Sequence, residues 1–234
     1  MVLLTFVACS LHLTLYSAGR FLLIPFTTLT TSGNRLYADP AIPADVRVTL
    51  ERETVRARQR VKALFGDVRS RPLIVAVSSP RYARLFGGSL TGTGLTHLSV
   101  VGSWILLSPR GFNADVIAHE WTHAEMRARV RTVRYEAIIP LWFNEGVAMQ
   151  NDWRPEYSRR AFDRRLQSDA PIRLSDIATP EGFREHRALA YMTAKFEIER
   201  WISITHQKGL VALLDGLSSR EEFETRYATP PSGS

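Results

Sequence analysis

Two histidines four residues apart, with a glutamate directly after the first, restrict this chain more than any other feature: His119-Glu120-Trp121-Thr122-His123. Four residues is just over one helical turn, so on a helix the two imidazoles share a face with about 5–6 Å between their β carbons. From there both rings reach one ion at about 2.0–2.1 Å, the length of a zinc–nitrogen bond. Glu120 lies one step round, where its carboxylate can take a proton from a water on the ion without being a ligand itself. Val116, Ile117, Ala118, Trp121 and Ala124 surround the pair with apolar side chains, as the helix of a buried site requires. The bland alternative is a pair of structural histidines beside a surface glutamate.

Any metal here must sit on nitrogen and oxygen. Cys9 is the sole cysteine and falls inside an apolar amino-terminal run, which leaves the folded part without a thiolate or a disulfide. A catalytic zinc takes three protein ligands and keeps a fourth position for water. After His123 the chain reads Ala124-Glu125-Met126-Arg127-Ala128-Arg129, without the glycine and histidine of a metzincin extension. The third ligand is therefore expected further on, in Leu141-Trp142-Phe143-Asn144-Glu145-Gly146-Val147-Ala148. Pro140 opens a helix there and Glu145 stands one turn in. Two helices joined by a turn around Thr132 to Ile139 can pack antiparallel and bring Glu145 to His119 and His123.

These motifs resemble the gluzincin metallopeptidases, the superfamily of thermolysin and aminopeptidase N, and in particular small bacterial membrane-anchored members. The resemblance rests on His-Glu-x-x-His followed by Trp-Phe-Asn-Glu-Gly-x-Ala and is strongest from Asn113 to Asn151. It implies a zincin-like metallopeptidase domain, Zn2+ on His119, His123 and Glu145, and Glu120 as general base. Leu189-Ala190-Tyr191-Met192-Thr193-Ala194-Lys195-Phe196 resembles the aminopeptidase helix whose tyrosine binds the oxyanion, which makes Tyr191 a candidate catalytic donor and His186 its rival. The plain reading of Tyr191 is an ordinary half-buried helix tyrosine. Where thermolysin-like members carry an aspartate that orients a histidine, this chain has Met149, leaving Glu125 or Asp152 for that role. No Gly-x-Met-Glu-Asn segment is present to hold a free amino terminus. Endopeptidase action on a peptide or protein substrate fits better, with the strand around Trp104 to Leu107 pairing with an extended peptide.

Around this centre the sequence predicts an α+β architecture, a small sheet ahead of a mainly helical half. Ala44 to Phe65 reads as a surface helix with Val48, Val55, Val61, Leu64 and Phe65 as its apolar positions and Gly66 as its stop. Leu73 to Val77 reads as a strand, and Leu95 to Leu107 as strand material broken at Gly102-Ser103. Gly87 to Gly94 is glycine-rich but lacks the lysine and the strand-to-helix setting of a phosphate loop, so it is read as a flexible connection or cleft rim. Asn113 or Asp115 caps a helix running to about Arg131. Further helices are predicted at Tyr157 to Leu166, Ala188 to Thr205, Leu210 to Leu217 and Glu221 to Tyr227.

The chain divides into an amino-terminal segment (1–30), a linker (31–42) and the metallopeptidase domain (43–234). Val2 to Leu29 is mostly apolar and long enough for a bilayer that needs about 20 residues. It reads as a transmembrane signal-anchor, with a cleaved signal peptide or a buried core helix as alternatives. Thr27 to Pro43, rich in Thr, Ser, Gly, Asn and Pro, reads as the linker. The net charge of +7 is almost wholly arginine, spread from Arg20 to Arg226 and interleaved with acids. No basic stripe emerges, and nucleic acid is not expected as a partner. The resemblance implies a domain outside the cytoplasm, tethered to the membrane. Two other classes stay open: a zinc-binding domain without catalysis that serves assembly or recognition, and a basic surface binder in which the histidines are incidental.

Overall fold

Runs of Leu, Ile, Val and Trp form the sheet because such side chains suit a pleated surface covered on both faces. In the computed structural model, residues 19, 22–27, 29–32, 35–99, 101–132 and 134–229 are described. Leu73–Ala76 (β3) and Ser103–Leu107 (β5) pair in parallel at the centre, and Gly94–Leu98 (β4) runs antiparallel to β5 at one edge. On the other side Leu36–Ala38 (β2) lies parallel to β3, with Thr30–Ser32 (β1) antiparallel to it, giving the order β1-β2-β3-β5-β4.

Register fixes what each face carries. Leu36, Ile74, Ile105 and Thr96 align across one face, as do Ala38, Ala76, Leu107 and Gly94. On the opposite face Leu73, Val75, Trp104 and Leu106 form a buried cluster with Ile24, Leu29, Val77, Ala83 and Phe86.

Three expectations need correction. The stretch read as a linker supplies β1 and β2, and Leu36 and Ala38 are fully buried. The buried Asp39 ends β2 by accepting hydrogen bonds from the backbone of Ala41, Ser78 and Ser79 and from the Ser78 hydroxyl. Burial by itself raises its pKa, but these bonds outweigh that and hold the carboxyl below its usual value. The strand proposed to receive a peptide, Trp104 to Leu107, is flanked by β3 and β4 and has both edges occupied; β4 is the edge strand. Third, the apolar amino-terminal run ends inside the domain, because Ile24 and Leu29 are buried against the sheet. The rest of that run lies largely outside the described residues, among which no helix is long and apolar enough to cross a membrane.

The predicted helices stand close to their expected places, and three short ones, Pro80–Leu85, Tyr135–Ile138 and Pro180–Glu185, were not expected. Ala44–Phe65 (α1) has the expected span, but its inward face is Leu50, Thr54, Ala57, Val61 and Phe65, while Val48 and Val55 are exposed. The spacing 50, 54, 57, 61, 65 holds one face at 3.6 residues per turn, and positions 48 and 55 fall on the far side. Pro80–Leu85 (α2) precedes β4, and Ala114–Val130 (α3) follows β5. Asn113 caps α3 by accepting the Val116 N–H at 3.0 Å, and Glu53 of α1 accepts the Ala114 N–H at 3.0 Å. Tyr135–Ile138 (α4), Leu141–Ala148 (α5), Arg159–Ser168 (α6), Pro180–Glu185 (α7), Arg187–Leu214 (α8) and Arg220–Ala228 (α9) complete the chain. The long α8 is interrupted at His206, whose φ of 57° leaves the helical region and separates two helical stretches, as the sequence predicts.

Two units can be distinguished. The first, up to Arg58 together with Ser70–Ala124, holds the sheet; the second, Gln59–Arg69 with Glu125–Ser234, is helical. Both α1 and α3 contribute residues to each. In the helical unit, α5 lies close enough to α8 that a β carbon on Gly146 would stand 2.6 Å from the Ala194 carbonyl oxygen. Phe143 of α5 packs edge-on against Phe223 and Tyr227 of α9, with ring centroids 4.9 and 5.9 Å apart.

The carboxyl end of α3 is held by charge. Glu125 and Arg129 are both fully buried and joined at 2.9 Å, and the Arg69 backbone N–H reaches the same carboxylate at 3.0–3.1 Å. Arg129 also bonds Asp67, and Arg69 grips Asp215 through two bonds of 2.7 and 2.9 Å. Removing one partner of such a pair leaves a buried charge without its counter-ion. Arg129→Met is expected to lower the unfolding free energy by about 3–5 kcal/mol, measured by chemical denaturation.

Candidate metal centre

The histidine pair stands on α3 where the sequence places it. His119, Glu120 and His123 are each 9% exposed, and Thr122 is fully buried, its hydroxyl donating to the Ala118 carbonyl at 2.8 Å. The two Nε2 atoms lie 3.3 Å apart, with ring planes at 81°. Two bonds of about 2.05 Å meeting at a tetrahedral angle would set their nitrogens about 3.3–3.4 Å apart, so the pair has the spacing that one zinc ion demands. Ligand atoms of His119, His123 and Glu145 all lie within 4.8 Å of one another. Two imidazoles and one carboxylate form a donor set suited to zinc, and three protein ligands leave a position for water.

Glu120 is held from the sheet. The Thr96 hydroxyl donates towards both the Glu120 carboxylate Oε2, at 2.7 Å, and the Glu120 backbone carbonyl, at 2.8 Å. Gly94, two residues earlier on the same face of β4, is packed so tightly that an added β carbon would meet Glu120 Cγ and Val116 Cγ1 at 2.8 Å each. The glycine-rich segment read as a flexible rim therefore ends in a close-packed strand. Neither Gly94 nor Thr96 was singled out by sequence. Their only signal was a glycine and a threonine two apart at the start of a strand, and that alternation becomes informative only once register is known.

Glu145 is presented by α5, one turn into the helix that Pro140 caps. Beside it, the buried Tyr135 donates its hydroxyl to Asn144 Oδ1 at 2.7 Å. Burial, and then the negative charges of Glu145 and Glu136, push the Tyr135 phenol well above its ordinary pKa, so it remains a donor. Sequence reasoning assigned this residue only to a turn.

The remaining candidates have defined surroundings. Tyr191 is half-buried on α8, edge-on to Phe183 at 5.0 Å and tilted against Tyr157 at 6.1 Å. His186 is half-buried at the start of that helix, its backbone N–H on the Gly182 carbonyl at 3.2 Å. Glu125 is the anchor of the Arg129 cluster described above. The Asp152 carboxylate takes the Arg154 guanidinium at 2.5–3.2 Å, and its backbone carbonyl takes Lys195 Nζ at 2.7 Å.

Comparison with protein-family models, with curated proteins and with solved structures finds no match. A metal titration tests the fit directly. Zinc at about a hundredfold excess over its dissociation constant is expected to raise the unfolding free energy by about 2.7 kcal/mol. The measurement is the thermal midpoint with zinc and again after EDTA, which should remove the increase.

Proposed function

We propose that this protein is a zinc-dependent endopeptidase of the gluzincin kind. The observation that carries the reading is the pair of Nε2 atoms 3.3 Å apart, with Glu120 one residue on and oriented by a strand at the sheet edge. Zinc bound by His119, His123 and Glu145 would supply Lewis acidity, lowering the pKa of water and polarising a carbonyl oxygen.

The protein's own residues do the rest. Glu120 accepts the proton of the attacking water on its carboxylate and then delivers it to the departing amine, so one group serves as base and then as acid. Tyr191 is assigned to donate its hydroxyl to the oxygen that gains negative charge as the carbonyl is attacked. The substrate is an extended polypeptide that adds to the edge of β4 that pairs with no strand among the described residues, where main-chain hydrogen bonding gives affinity and alternating side chains give selectivity. Because Thr96 of that strand touches Glu120, a peptide laid there runs past the base.

The apolar run that starts at Val2 supports attachment to a membrane, with its last residues, Ile24 and Leu29, folded into the domain. The domain is assigned to the outside of the cytoplasm.

Glu120→Gln is expected to keep zinc and abolish hydrolysis of a fluorescein-labelled casein, measured with the metal content of both proteins. Zinc retained with no hydrolysis by the parent protein would favour an assembly or recognition module instead. Tyr191→Phe is expected to lower turnover by about 10²–10³-fold. Unchanged turnover in that variant would move the donor role to His186.

A further inference from the structure

We propose that Thr96 and Gly94 form a cradle that fixes the orientation of the Glu120 carboxylate, which makes Thr96 a positioning residue for the base. The inference rests on the reading of Glu120 given above and adds a part that the histidine-glutamate motif does not contain.

A glutamate side chain has three rotatable bonds, and its terminal torsion is broad. A base on such a stem must be held by its neighbours, since a misplacement of about 1 Å can cost about 10²-fold in rate. Here the restraint comes from two residues of β4 that share a face. Gly94 leaves the space into which the stem of Glu120 fits: a β carbon there would stand 2.8 Å from Cγ and 3.1 Å from Oε1. Thr96 then fixes the far end through its 2.7 Å bond to Oε2.

The Thr96 hydroxyl has one proton and two acceptors on the same residue, Oε2 and the backbone carbonyl. That proton ties the carboxylate to its own helix backbone through a side chain of the strand. It also leaves Oε1 as the oxygen with no bond to Thr96, and so the one available to exchange a proton with water or with a leaving group. Thr96 supplies a hydrogen bond to a charged group, a kind worth more than a neutral one. Strand position and base orientation are thereby linked, so a peptide that adds to the β4 edge meets a base already aimed.

The test uses the full-length protein loaded with cobalt(II), with acetohydroxamic acid as the probe. On binding, the hydroxamic acid would give up its O–H proton to the Glu120 carboxylate and offer its oxygen to the metal that His119, His123 and Glu145 would hold. Affinity, read from the visible absorption of the cobalt, therefore reports whether the carboxylate is in place without any need for turnover. Thr96→Val, close in shape but without the hydroxyl, is expected to weaken acetohydroxamate about 10–100-fold while cobalt affinity and the thermal midpoint stay near those of the parent. Thr96→Ser, which restores the hydroxyl, is expected to recover most of the loss. Unchanged acetohydroxamate affinity in Thr96→Val overturns the cradle and leaves the metal site standing. Failure of Thr96→Ser to recover affinity also overturns it, since the effect would then belong to strand packing. A parent protein that takes up no cobalt overturns the metallopeptidase reading itself, and the cradle with it.

Discussion

The site depends on one helix being buried, capped and fixed at its far end. A spacing of four residues presents two imidazoles to one ion only while α3 keeps its turn, and the 3.3 Å between their Nε2 atoms measures how well it does so. Asn113 sets the start of that helix and the Glu125–Arg129 pair secures its end. Between the two lie Ala118, Trp121, Thr122 and Ala124, all buried, so the histidines have little freedom to turn away. The ionic cluster around Arg129 is therefore part of the support of α3.

Much of this could be read from the sequence, because the informative features are local. The four-residue spacing, the apolar neighbours of His119, the Asn113 cap and the Pro140 start all act within one or two helical turns. The span of α1 and the break between β4 and β5 were legible for the same reason. What escaped the sequence depends on pairing across long separations. Leu36-Tyr37-Ala38 is too short to declare itself a strand, and becomes one because β3 lies beside it. Val48 and Val55 look like core residues until the 50, 54, 57, 61, 65 face is seen to bury instead. Thr96 is an unremarkable threonine until sheet register places it over Glu120, residues that stand 24 apart in the chain.

Which strand lies at the edge is likewise a property of topology. Trp104-Ile105-Leu106-Leu107 is the more apolar run and therefore goes to the centre, where both of its edges are consumed and its side chains are buried. Gly94-Leu95-Thr96-His97-Leu98 is more polar and takes the rim. Its glycine and threonine approach the motif helix closely, while Leu95 and His97 alternate to the other face, where His97 stacks on Trp104 with centroids 4.4 Å apart.

The account stands or falls on whether His119, His123 and Glu145 hold one zinc ion. The most direct measurement is the zinc content of the purified full-length protein beside that of its Glu145→Ala variant, by mass spectrometry of the metal after dialysis. One zinc per chain in the parent, lost or greatly reduced in the variant, is the predicted result. No zinc in the parent after exposure to the ion, or equal zinc in both proteins, would contradict the three-ligand centre.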